Sequence, residues 1–132
     1  MSTGNVITTD GKKIMLHRTF TASPTITAPS QFKVGTGTTT PAVGDTDVET
    51  VVAINGGNFK AFVSGYPSLD TTNIQSTIRC FLNSLEANGN TLTELGIVNT
   101  DGTKLLFSHS VHTGIAKTTS NEITYIVKDK II

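Results

Sequence analysis

The sequence predicts a mainly β chain, an antiparallel β-sandwich of about five to seven strands with one short N-terminal helix. Three observations carry that expectation. Threonine is the commonest residue, glycine is frequent and tryptophan is absent, a composition that suits short strands and turns. Apolar and polar side chains alternate in several runs, most clearly from Ile74 to Ser84 and from Glu122 to Lys128. Glycine, asparagine and aspartate clusters punctuate those runs where hairpin turns would fall. A chain of 132 residues, 36% hydrophobic, is sized for one domain with one core. It divides into an N-terminal arm with a short helix (1–22), an extended Gly/Thr/Pro segment (23–48) and an antiparallel β core (49–132).

The elements follow in chain order. Thr9 or Asp10 can cap a short helix through "GKKIMLHRTF", in which Ile14, Met15 and Leu16 are too bunched to define one clean apolar face. Pro24, Pro29 and Pro41 then exclude helix, because each removes a backbone donor and biases its predecessor towards extended geometry. One short strand is expected there, over Gln31 to Val34. "ETVVAI", "NGGN" and "FKAFV" read as strand, turn and strand of a hairpin. From Ile74 to Ser84, the residues Ile74, Ile78, Cys80 and Leu82 share one face, interrupted only by Ser76. Gln75, Thr77, Arg79, Phe81 and Asn83 take the other. "EANGN" (86–90) turns the chain. Two strands then flank "NTDG", whose Asp101-Gly102 pair tolerates the positive φ of a tight turn. In the last strand Ile123, Tyr125 and Val127 alternate with Thr124, Ile126 and Lys128, and "KDK" adds charge that discourages edge pairing.

Charge and composition narrow the function classes. Ten basic and ten acidic residues give a formal net charge of zero without a basic stripe, which argues against nucleic-acid recognition. The single cysteine, Cys80, excludes an internal disulfide. The start of the chain lacks an apolar run behind a basic segment, and no stretch reaches the ~18 to 20 apolar residues of a membrane span. Neither secretion nor a bilayer is expected.

The candidate reactive groups each meet a chemical objection. A cysteine hydrolase would join Cys80 with His109 or His112 and an acid such as Asp101, yet Cys80 stands in an apolar row where a thiol stays protonated. On a strand, His109 and His112 at a spacing of three point to opposite faces, whereas a shared metal favours a spacing of two. "VGTGTTTP" lacks the lysine and following helix of a phosphate-binding loop. Asp45, Asp47 and Glu49 alternate like the start of a calcium loop but lack its glycine and terminal glutamate, leaving an adventitious cation at most. Glu94, between leucines, has no second carboxylate at a useful spacing and reads as a structural acid bonded to backbone or an adjoining turn. No catalytic residue, cofactor or resident metal is expected.

With those residues placed, the sequence resembles a phage virion structural family, the small tail-fibre, collar or baseplate proteins and the N-terminal domains of tail-collar fibres. The likeness lies in "TTDGKK", then "FKVGTGTTTPAVGDTDVE", then "LTELGIVNTDGTKLL" followed by "AKTTSNEITYIV", in that order and over nearly the whole chain. It implies a β-rich, non-enzymatic virion part that assembles as an oligomer, often a trimer, through contacts with other virion proteins. The motif positions it implies are Gly35, Gly37, Asp45, Thr46, Glu94, Gly96, Asp101, Gly102 and Lys117, all structural. Because no repetitive shaft follows, the expectation is a compact adaptor, baseplate or neck component, or alternatively a capsid decoration protein. A carbohydrate- or surface-binding β module is a further alternative, weakly served by six Phe, two Tyr and no Trp. Phe81 and Ile126 are apolar residues in otherwise polar rows and are the expected subunit interface.

Overall fold

The computed structural model describes residues 4–101 and 104–131, and among them it contains nine strands and one helix. In chain order these are β1 (Gly4–Ile7), α1 (Thr9–Phe20), β2 (Gln31–Gly35), β3 (Val51–Val52), β4 (Lys60–Ala61), β5 (Ser68–Asp70), β6 (Gln75–Leu82), β7 (Asn90–Val98), β8 (Leu106–Lys117) and β9 (Ile123–Lys130). They form two antiparallel sheets. The larger runs β1-β8-β7-β2-β3, with β4 also paired to β2, and the smaller runs β5-β6-β9.

The two-residue period decides which face of each strand is covered. On β6 it buries Ile78, Cys80 and Leu82, and their cross-strand partners on β9 are Val127, Tyr125 and Ile123. From the larger sheet Phe32, Val34, Leu92, Leu95 and Ile97 join the same apolar cluster. One core therefore lies between the sheets, which is the sandwich arrangement. At roughly 25 cal/mol per Å² of apolar surface, burying side chains such as Phe32 and Leu82, both at 0% exposure, contributes about 2 kcal/mol each.

The opposite face of the larger sheet is covered as well. Ile14 of α1, Val48, Val98, Leu106 and Val111 are buried but stand outside the inter-sheet cluster. They form a thinner layer in which the helix and the segment after β2 lie on β7 and β8. The helix begins at Thr8, whose hydroxyl accepts the Gly11 amide and donates to the Leu106 carbonyl. That double role ties the helix start to β8, and it places the cap one residue before Thr9 and two before Asp10, the expected caps.

Other expectations need correction. The strands number nine because β1 and β5 are only four and three residues long, too short for an alternating pattern to mark them. The N-terminal arm supplies β1, which pairs with β8, and the extended segment supplies β2, which lies beside β7, so the β core does not begin at residue 49. "ETVVAI" and "FKAFV" do not pair with each other. Both lie on the free edge of β2, at Val34–Gly35 and at Gln31–Phe32. Ile74 is not in the buried row; it has φ of 53° in the turn before β6 and is 49% exposed. The turn at 86–90 is present, with Ala87 and Gly89 at positive φ. β7 and β8 flank "NTDG" as expected, while Gly102 lies outside the described residues.

Candidate functional site

The segment from Thr36 to Thr50 crosses the outer face of the larger sheet with almost no strand of its own, so its amides need acceptors from elsewhere. Glu94 supplies them. Its side chain is fully buried; Oε2 accepts the amides of Gly37 at 2.7 Å and Thr50 at 3.0 Å, and Oε1 accepts that of Glu49 at 2.6 Å. Thr93, next to it in an irregularity of β7, donates its hydroxyl to the Gly37 carbonyl at 2.6 Å. The glycines follow from this crowding. A Cβ on Gly35 would collide with Glu94 Oε2 and the Thr50 carbonyl, and one on Gly37 would lie 2.7 Å from Glu94 Cδ. Gly96 leaves room for Val48, whose Cγ1 would be 2.8 Å from a Cβ there.

His109 completes the node. It stands on β8 opposite Gly96, with Nε2 2.9 Å from Glu94 Oε1 and Nδ1 2.7 Å from Asp45 Oδ2. A ring N–H of His109 donates to the carboxylate it faces, and the ring's tautomer sets which nitrogen carries it. The acids respond accordingly. Burial would raise the Glu94 carboxyl, but the amides of Glu49, Thr50 and Gly37 and the His109 ring outweigh it, leaving it below its ordinary range. Burial also opposes ionisation of Asp45, and the Ala42 amide and His109 reverse that, again lowering it. The node thus spans Asp45, His109 and Glu94, and pins the 36–50 segment to the sheet. The second carboxylate that the spacing of Glu94 did not disclose is Asp45, brought in through His109.

A second polar cluster anchors the other end of β7. Glu86, nearly buried, accepts Lys60 Nζ at 2.7 Å and the Asn83 amide at 2.9 Å. Its carboxyl, opposed by burial, is brought below the usual range by Lys60, Asn83 and the charge of Lys117. Lys117, fully buried, donates to Asn88 Oδ1 at 2.8 Å and to the Thr118 carbonyl at 3.0 Å, holding the 86–90 turn. The sequence marked the turn and, through the resemblance, Lys117; nothing in the spacing marked Lys60 and Glu86 as partners.

The remaining expected positions are spread out. Asp45, Asp47 and Glu49 part company: Asp47 takes Lys33 Nζ at 2.9 Å, and Glu49 takes the Thr38 amide at 3.2 Å. Among the described residues no group of three His, Cys, Asp or Glu is placed to hold a metal ion. Thr46 is exposed beside a polar recess of about 400 Å³ that also borders Asp47, Glu49 and His109. Asp101 does more than hold its own turn, since it accepts the Thr27 amide at 3.2 Å and hydroxyl at 2.8 Å and so fastens the extended segment. His112 points away from His109, with Nε2 2.9 Å from the Tyr125 hydroxyl. Burial, followed by the neighbouring Cys80, raises the Tyr125 phenol. Phe81 and Ile126 share the outer face of β6 and β9, but Phe81 is half-buried with Lys60 Nζ 5.4 Å from its ring centre, whereas Ile126 is 53% exposed.

Cys80 is fully buried, and burial pushes its thiol up to about 12. Its thiolate fraction at neutral pH is on the order of a thousandfold below that of a free cysteine. A thiol reagent is therefore expected to label the native protein far more slowly than the urea-unfolded chain; equal rates would show that Cys80 is accessible.

Comparison of the chain with protein-family models, with curated proteins and with solved structures finds no match. The chemistry must be read from the geometry. No serine, threonine or cysteine side chain hydrogen-bonds His109 among the described residues, and both carboxylates bonded to it are engaged with backbone amides. The node spends its polar groups on holding chain segments together. Among the described residues no helix is long and apolar enough to cross a membrane.

Proposed function

We propose that the protein is a bacteriophage virion structural protein, a tail-fibre, collar, baseplate or neck component that acts through protein–protein contacts in the assembled particle, and that it is not an enzyme. One observation carries the reading. Seven of the nine residues of the likeness converge on structural tasks: Gly35, Gly37, Asp45, Glu94 and Gly96 around one buried node, Asp101 on the extended segment, and Lys117 on a turn. A loop so fastened holds its shape without a ligand, as a rigid docking part requires. A sugar-binding face draws less support, because Tyr125 is bonded to His112 and the Tyr66 ring lies 5.8 Å from the Arg79 guanidinium carbon.

The protein works as a homo-oligomer, a trimer in this reading, with Ile126 in the subunit contact. Two measurements test the proposal. Antibody against the chain should decorate particles released by the encoding bacterial culture, and label confined to particle-free fractions overturns the virion assignment. Light scattering across a concentration series should give three times the 14.0 kDa chain mass. Ile126→Lys should shift assembly to roughly tenfold higher concentration, as expected for charging an apolar contact. A mass of one chain throughout removes the oligomer.

A further inference from the structure

Among the described residues Lys117 is the only fully buried lysine, and no carboxylate is ion-paired with it. That is an unusual place for the side chain, because a buried ammonium is costly unless a counter-charge meets it. Its three donors find two acceptors, Asn88 Oδ1 at 2.8 Å and the Thr118 carbonyl at 3.0 Å. The Asn88 amide is held at both ends. Its nitrogen donates to the Ser84 carbonyl at 2.8 Å, so the carbonyl end is the one presented to Lys117. The backbone fixes the approach as well, since Asn90 stands opposite Lys117 in the β7–β8 register and the Gly89 amide donates to the Lys117 carbonyl at 2.9 Å. Glu86 completes the group. Against the cost of its burial, its carboxylate is supported by Lys60, the Asn83 amide and the charge of Lys117. A primary amine, a carboxamide and a carboxylate are thus gathered at one end of the sheet, the ingredients of an acyl transfer between side chains.

We propose that Lys117 and Asn88 form an intramolecular isopeptide bond. The Nζ electron pair attacks Asn88 Cγ, the Cγ–Nδ2 bond breaks, and the two protons that Nζ gives up depart with Nδ2. An ammonium and a carboxamide become a secondary amide and a free ammonium ion, with no further reactant consumed. The Glu86 charge offsets the positive charge while it passes from one nitrogen to the other, and the burial of Lys117 limits competition from water. The other nucleophile near Cγ is the Gly89 amide, whose attack would close a succinimide ring, but its hydrogen is committed to the Lys117 carbonyl. The new bond ties the end of β8 to the turn before β7, across 29 residues of chain. This inference goes beyond the virion reading and stands or falls without it.

The test is intact-mass spectrometry of the whole folded protein, followed over days at neutral pH. The mass should fall by one ammonia per chain, and a protease digest should yield a branched peptide that joins the segments around Asn88 and Lys117. Lys117→Arg keeps a cation and a donor beside Asn88 but supplies no amine to acylate, so it should fold and keep its full mass. The parent chain held unfolded in urea should keep its full mass too, because the two side chains are then apart. Glu86→Gln should lose ammonia roughly tenfold more slowly. A folded parent that retains its full mass overturns the proposal. So does an ammonia loss in Lys117→Arg as large as in the parent, which would assign the chemistry to a succinimide at Asn88–Gly89. An unchanged rate in Glu86→Gln removes that carboxylate from the reaction.

Discussion

Glu94→Ala is expected to lower stability by about 3–5 kcal/mol, the range for removing one partner of a buried charged network. The loss has a definite composition. Three amides, those of Gly37, Glu49 and Thr50, lose their acceptor, and His109 keeps a partner only at Asp45. The 36–50 segment keeps its ties through Thr93, Lys33 and His109 and the buried Val48, so the loss should be local, and amide exchange at 37, 49 and 50 should speed up most. The pH profile provides a second reading. The folded Glu94 carboxyl lies below its ordinary value of 4.5, so the folded state favours the ionised form. Its contribution is present in full above about pH 4.5 and is lost as pH falls through the lower folded value. Glu94→Gln should therefore show a shallower acid limb than the parent, with Asp45 and Glu86, also lowered, supplying what remains. Urea midpoints of parent and Glu94→Ala that coincide at neutral pH would remove the node from any account of stability.

Gly35→Ala is expected to lose about 1–3 kcal/mol, the usual range for overpacking a tight contact. The added Cβ meets the Thr50 carbonyl at 2.5 Å as well as Glu94, and a backbone carbonyl on a paired segment cannot swing aside as a side-chain tip can. Gly44→Ala is the matched control. Nothing lies within 4 Å of a Cβ there and its φ is not positive, so the change should be neutral or stabilise slightly by restricting the unfolded chain. If the two variants unfold at the same urea concentration, the close approach of β2 to Glu94 is not what requires glycine at 35.

The node shows where reading the sequence succeeds and where it stops. Glu94 was legible as a structural acid because it is a lone carboxylate among leucines in a β run. Which backbone it would hold was not legible, since the Gly37 amide is 57 residues away and no local pattern encodes that meeting. The opposite facing of His109 and His112 followed from their spacing alone, and the structure has one in the node and the other on Tyr125. Phe81 shows the converse. Its row marked it as outward, but the partial cover from Lys60 comes from a different strand.

By itself, then, the sequence determined the β class, the long strands β6, β7, β8 and β9, the turn at 86–90 and the burial of Cys80. Each depends on neighbours within a few positions, through a two-residue period or the positive φ of a turn. Tertiary structure decided the rest. It recruited β1 to β8, set β3 and β4 end to end along one edge of β2, and moved Ile74 out of the core row. It also joined Asp45, His109 and Glu94 in one node. The reason is that alternation specifies which face of a strand is covered but not what covers it, and a buried polar group is satisfied by whichever donor the assembled fold brings within reach.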